Sequence, residues 1–233
     1  MHEIVMRAPG KNALSTALMT WFVSELESAA GQPVLIRGEG GAFSAGLNLK
    51  EIASHDADGM EGFLNSLEEM LDALYTYPGP TVACIDGHAI AGGCVVALAC
   101  DLRIVAANPE IRIGLNETAI GLRFPPKAFA IVRARLSPHA LERVVLGAGL
   151  HPPEIAKELG LVDEIAFDAQ AASRAHLQRL ASYPRESYAR NKEAMRAGVM
   201  DVNDADARRF REEVVPLWSS PETKQRLLAL LKK

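Results

Sequence analysis

Apolar residues recur along this chain with two periods. Leu18, Met19, Phe22, Val23 and Leu26 fall on one helical face, and Ser15 stands where a capping hydroxyl belongs. Val34-Leu35-Ile36 is a short apolar run that predicts a buried strand, and it leads into the glycine-rich stretch GEGGAFSAGLNLKE. A second amphipathic helix carries Met60, Phe63, Leu64, Leu67, Met70, Leu71 and Leu74, and Pro78-Gly79-Pro80 ends it. Val82–Ile85 predicts the next strand, turned by Asp86-Gly87. Gly92-Gly93 then opens the apolar helix CVVALAC. Leu102–Val105 and Ile111–Ile113 predict strands on either side of the turn AANPE. After Pro125 strand patterns nearly cease. Helices are expected at about 126–135, 138–147, 153–159, 168–182, 186–198, 203–217 and 221–232. A half that alternates strands with helices, followed by an almost wholly helical third, predicts an α/β core with a helical C-terminal region.

Composition narrows the picture. With 233 residues, 48% hydrophobic and 23% charged, the chain has ample material for one core plus a terminal extension, and disorder is excluded. No uncharged apolar run reaches membrane-spanning length, so no membrane partner is expected. The net charge of −4 gives no electrostatic reason to bind nucleic acid. The charge is uneven: 12 Lys/Arg against 21 Asp/Glu up to residue 173, then 13 against 8. The basic end reads as a solvated helix surface or as a contact for a phosphorylated ligand. Cys84, Cys94 and Cys100 lie in apolar runs, read as small core residues of a reducing compartment. The six histidines show no metal-ligand spacing, and Asp56-x-Asp58-Gly59 lacks the later ligands of a calcium loop, so no metal is expected.

Three stretches could carry chemistry. In GGAFSAGLNL, glycines let backbone amides approach a ligand; Ser44 also imitates a hydrolase elbow, with His139, His151 and His176 downstream. In IDGHAIAGGCVVALACD, Gly92-Gly93 sits at a helix N-terminus, where unpaired amides and the dipole favour an oxyanion; the pair also permits close helix–sheet packing. In IRIGLNETAIG, Glu117 is a lone carboxylate among apolar residues. Buried, it would have a raised pKa suited to a general base; exposed, it would be a plain loop residue.

Taken together, AFSAGLNLKE, DGHAIAGGC with ALACDLRI, and IGLNE resemble the crotonase (enoyl-CoA hydratase/isomerase) superfamily from about RAPGKNAL to the C-terminal helices. The run AGGCVVALACDLRIVAANPEIRIGLNETAIG is most similar to the mitochondrial-type Δ3,Δ2-enoyl-CoA isomerases. The resemblance implies a ββα spiral core at 1–175 and a helical trimerisation region at 176–233. It implies an acyl-CoA substrate, with coenzyme A part of that substrate and no separate cofactor, and a homotrimer or dimer of trimers. It places the thioester carbonyl on the amides of Leu47 and Gly92, the base at Glu117, and CoA contacts at Ser44 and Ala45. The family's hydratases carry a second glutamate directly after the GGC run, where this chain has Val95. Valine does no acid–base work, so the resemblance favours moving a double bond over adding water. Another acyl-CoA reaction on the same fold, or acyl-CoA binding without turnover, is the alternative. The segment GLRFPPKAF departs from the hydratases and is expected to shape the acyl pocket. Few residues precede Pro9, so one or two N-terminal strands are expected to be short or missing. Lys50 and the basic C-terminal residues are candidates for the CoA phosphates. With no arginine-rich leader, the expected location is the cytoplasm.

Overall fold

A computed structural model describes residues 1–231. Its frame is a five-stranded parallel sheet with a smaller three-stranded sheet beside it. The chain enters on β1 (His2–Met6), which pairs in parallel with β2 (Val34–Gly38) from His2 opposite Val34 to Met6 opposite Gly38. One complete edge strand, β1, precedes Pro9. Between the two strands lies α1 (Thr16–Ala29), whose first turn is capped by Ser15 accepting from the Leu18 amide. Its inward residues Leu18, Met19, Phe22 and Leu26 are buried.

The chain then repeats one unit: a strand in the large sheet, a short strand in the small sheet, and helix. The first unit is β2, β3 (Ala42–Ser44), α2 (Leu49–Ser54) and α3 (Ala57–Tyr75). The second is β4 (Thr81–Ile85), β5 (His88–Ile90) and α4 (Gly92–Ala99). The third is β6 (Leu102–Ala106), β7 (Ile113–Gly114) and α5 (Pro126–Arg135). Two further helices, α6 (Pro138–Val145) and α7 (Pro153–Glu158), lead to β8 (Glu164–Ala166). The large sheet runs β1-β2-β4-β6-β8 and the small one β3-β5-β7. All named strand pairs are parallel, as a spiral of ββα turns requires.

Both faces of the large sheet are covered. Ile4, Ile36, Ala83, Ile85 and Val105 face the main core with α1 and α3. Leu35, Val82, Cys84 and Ile104 face α8 (Ala169–Ala181) through Ala169 and Leu177. Burial on both sides explains why these strands read as continuous apolar runs rather than as alternation. The boundary expected at 175/176 falls inside α8.

The helical end continues with α9 (Arg185–Arg196) and α10 (Asp204–Arg209). A π-helical turn, Phe210–Val214, joins α10 to α11 (Val215–Ser219), and α12 (Pro221–Leu230) follows. Pro216 supplies no amide to the preceding turn, a local reason for the wider hydrogen-bond pattern there. The basic residues of this end are not all on a solvated surface. Lys192 and Arg196 are 5% exposed and bind Asp101 inside the fold, so they are not free for CoA phosphates. Lys50 is exposed.

Candidate active site

Two glycine turns are brought together by the small sheet. β3 and β5 pair with Ser44 opposite Ala89, so the turns leaving them lie side by side. In the first, Gly46 has φ 89°, and a Cβ there would lie 2.9 Å from the Ile90 carbonyl oxygen; only glycine allows this approach. Leu14 then pairs with Leu47: the Leu14 amide donates to the Gly46 carbonyl at 2.8 Å, and the Asn48 amide donates to the Leu14 carbonyl at 3.0 Å. That alternation turns the Leu47 amide away from Leu14, and among the described residues it has no acceptor.

The second turn is set by Ala91, held at φ 50° and ψ −125°. Its amide donates to the Gly114 carbonyl at 2.8 Å, and its carbonyl receives the first helical bond of α4 from Val95 at 3.0 Å. The Gly92 amide is therefore one of the helix's unpaired N-terminal donors. The two glycines differ in their surroundings. A Cβ at Gly93 would stand 2.4 Å from the Ser44 carbonyl oxygen, so this glycine permits close packing. A Cβ at Gly92 would meet only the side chains of Leu14 and Leu47, at 3.3 and 3.5 Å.

Leu47, Gly92 and Ala45 all line one cavity, and Glu117 enters it from the turn after β7. Glu117 is 6% exposed, which excludes the solvent-facing alternative, and its Oε2 has no hydrogen-bond partner. Burial pushes its carboxyl up to about 7; its own backbone amide, the single opposing influence, only moderates the rise. Val95, one helical turn after Gly92, forms apolar wall. Among the described lining residues, Glu117 is the one ionisable side chain.

Ser44 stands apart from the other expected contacts. It is fully buried, its hydroxyl donates to the Asn12 carbonyl at 2.8 Å, and it accepts from the Gly46 amide at 3.2 Å. It fixes the glycine turn from behind. No histidine is among its partners, so the hydrolase elbow is overturned. The Asp56 motif is likewise structural, with Asp56 Oδ1 capping α3 by accepting from the Gly59 amide at 2.9 Å. No metal-ligating cluster occurs among the described residues.

Several contributors carried no sequence signal. Asn12 is buried with φ 57°; its Nδ2 donates to the Glu39 and Ala42 carbonyls at 2.9 and 2.8 Å, holding the entry to β3. Asn116 lines the cavity beside Glu117, and its Oδ1 is buried without a partner. Trp218 of α11 and Leu230 of α12 complete the wall. Trp218 Nε1 donates to the Arg123 carbonyl at 2.9 Å, and Arg226 donates to the Ile120 carbonyl at 3.0 Å, tying the helical end to the loop after Glu117. The segment GLRFPPKAF supplies Leu122, Phe124 and Pro125 from that loop and Ala128 from the start of α5, as expected of a pocket-shaping segment.

Comparison with known proteins places the chain in one family. The chain matches the model of the enoyl-CoA hydratase/isomerase family over residues 1–225. It is 34% identical to human mitochondrial enoyl-CoA delta isomerase 1 over 172 residues, which are 72% of this chain and 57% of that protein. It is 28% identical to mouse mitochondrial methylglutaconyl-CoA hydratase over 211 residues, 85% of this chain and 64% of that protein. The crystal structure of human mitochondrial delta3-delta2-enoyl-CoA isomerase superposes with a TM-score of 0.90 at 29% identity, covering 98% of this chain and 92% of that one. A family match along nearly the whole chain, with the ββα spiral of the crotonase fold beneath it, means that this protein belongs to the enoyl-CoA hydratase/isomerase family.

Proposed function

We propose that this enzyme shifts the double bond of a 3-enoyl-CoA to give the 2-trans-enoyl-CoA. One observation carries the reading: the cavity is lined by a single buried carboxylate and by two residues with unpaired amides, with valine where a second acid would be needed to activate water. Hydration requires one group to take a proton from water and another to deliver a proton to carbon. Isomerisation requires one group that removes a proton at C2 and returns it at C4.

The thioester oxygen accepts hydrogen bonds from the Leu47 and Gly92 amides. Glu117 removes the C2 proton, and the electron pair moves through the thioester onto that oxygen. The donors already point at the developing charge, so the dienolate forms with little reorganisation. Protonated Glu117 then delivers its proton to C4. Coenzyme A is carried by the substrate, and the chemistry consumes no other cofactor. A base whose carboxyl ionises near 7 matches the demand for a group that must both take and give a proton near neutrality. A trimer or dimer of trimers belongs to the same reading and is checked by sedimentation.

The test is turnover of a 3-enoyl-CoA, followed by the rise of conjugated-thioester absorbance, with hydration of a 2-enoyl-CoA measured alongside. Glu117→Gln should lower kcat by about 10²–10⁴-fold, the range typical of a positioned acid–base group. In the parent enzyme kcat/KM should rise with pH and level off above about 7. Unchanged turnover in Glu117→Gln, or hydration outpacing isomerisation, would defeat the proposal.

A further inference from the structure

The acyl cavity has a second hollow behind one of its walls. Leu122 and Phe124 line the cavity on one side and, on the other, a groove between α5, α6 and the π turn. The residues around them sort by side. Pro125 and Ala128 line the cavity, whereas Arg123, Pro126, Lys127 and Phe129 line the groove. One thickness of chain therefore separates the two. Its backbone is held twice: the Leu122 amide donates to the Glu117 carbonyl at 2.9 Å, and the Arg123 carbonyl accepts from Trp218 Nε1 at 2.9 Å.

The groove offers apolar surface. Phe129 of α5, Val145 of α6, Val199, and Phe210 and Val214 of the π turn all line it. Three of its charged residues are already paired: Arg123 with Glu213, Lys127 with Asp72, and Arg209 with Asp206. Phe124 is partly buried, and its ring stacks on that of Phe129, with centroids 5.6 Å apart and planes inclined by 30°. The residue that closes the cavity is thus seated on a residue of the groove. Aromatic pairs of this kind are held by more than their buried area.

We infer that Phe124 sets the upper length of the acyl chain: its ring closes the cavity towards the groove, and the groove is the room a longer chain would take were the ring absent. The inference rests on the acyl-CoA reading of the cavity and names its substrate class, acyl chains that end at Phe124. Each methylene buried in an apolar cavity raises affinity about fourfold. One methylene too many must stay in water or push the ring off Phe129, and the gain stops. Past the ring, the apolar lining of the groove lets it resume.

The probes are saturated acyl-CoAs from butanoyl- to tetradecanoyl-CoA, titrated calorimetrically into the full-length protein, so the readout needs no turnover. Affinity should climb about fourfold per methylene and then break to a plateau or a fall. In Phe124→Ala the break should move to longer chains, with about a fourfold advantage over the parent for each methylene beyond the parent's break. Phe124→Leu should move it the same way by less, and it serves if the alanine variant folds poorly. The break compares chains on one protein, so a smaller active fraction does not shift it. Ala130 lines the groove and not the cavity, so adding Ala130→Phe to Phe124→Ala should restore the parent's break. An unmoved break in both Phe124 variants, a parent affinity that climbs without a break, or a gain that survives Ala130→Phe overturns the inference and leaves the acyl-CoA reading standing. If the parent bound no acyl-CoA of any length, that reading would fail and the inference with it.

Discussion

The two ends of α4 solve opposite problems. At the Gly92 end, an apolar cavity surrounds one carboxylate and leaves neighbouring amides without acceptors. At the Ala99 end, the carbonyls of Ala99, Cys100 and Asp101 all receive guanidinium donors, and a carboxylate accepts four hydrogen bonds. Cations there also complement the negative pole of the helix. Partners withheld at one end keep donors and acid available to a substrate, while partners supplied at the other hold the helix in place.

The sharpest way to break the comparison is to make the same acid-to-amide change at both ends. Asp101→Asn should destabilise by about 3–5 kcal/mol in urea unfolding, because Lys192 and Arg196 lose their buried counter-charge. Glu117→Gln should do the reverse. Its carboxyl ionises near 7 in the folded protein against an ordinary 4.5, so the folded state binds more protons between those values. The native acid thus favours folding below about 4.5 and loses that contribution as pH rises through 7. At pH 8 Glu117→Gln should be more stable than the parent by about 3 kcal/mol, and near pH 4.5 the gain should vanish. Equal signs for the two substitutions would erase the distinction. The smallest effect is expected from Gly93→Ala. The Ser44 carbonyl oxygen that its Cβ would meet at 2.4 Å belongs to the backbone and cannot swing aside. A loss of about 1–3 kcal/mol with impaired turnover is expected, and a neutral result would show that the two turns are not locked together.

Much of this was legible in the sequence, and what escaped has a physical pattern. Long amphipathic segments declared themselves: the helix read over 126–135 is Pro126–Arg135, and Met60 to Leu74 lie within Ala57–Tyr75. Glu117 and the glycine turns were found by motif, and the structure gathers them around one cavity. The strands of the small sheet were largely missed. Ala42–Ser44 and His88–Ile90 are three residues long, too short for periodicity, and exist because their ladder partners do. Ile111–Ile113 was displaced by the same shortness, since the strand is Ile113–Gly114. β1 and β8 are edge strands with mixed polarity, so neither shows the apolar run of β2 and β4. Lys192 and Arg196 could not be placed from composition: a basic helix reads as a wet surface until Asp101, more than ninety residues away, is known to wait beneath it. The π turn was equally silent, apart from the proline that follows it.

Trp218 and Leu230 close the cavity from the last helices of the chain. During synthesis the acid and both amides emerge well before the lid that dries them. The cavity wall is therefore complete only once these helices have packed against the sheets.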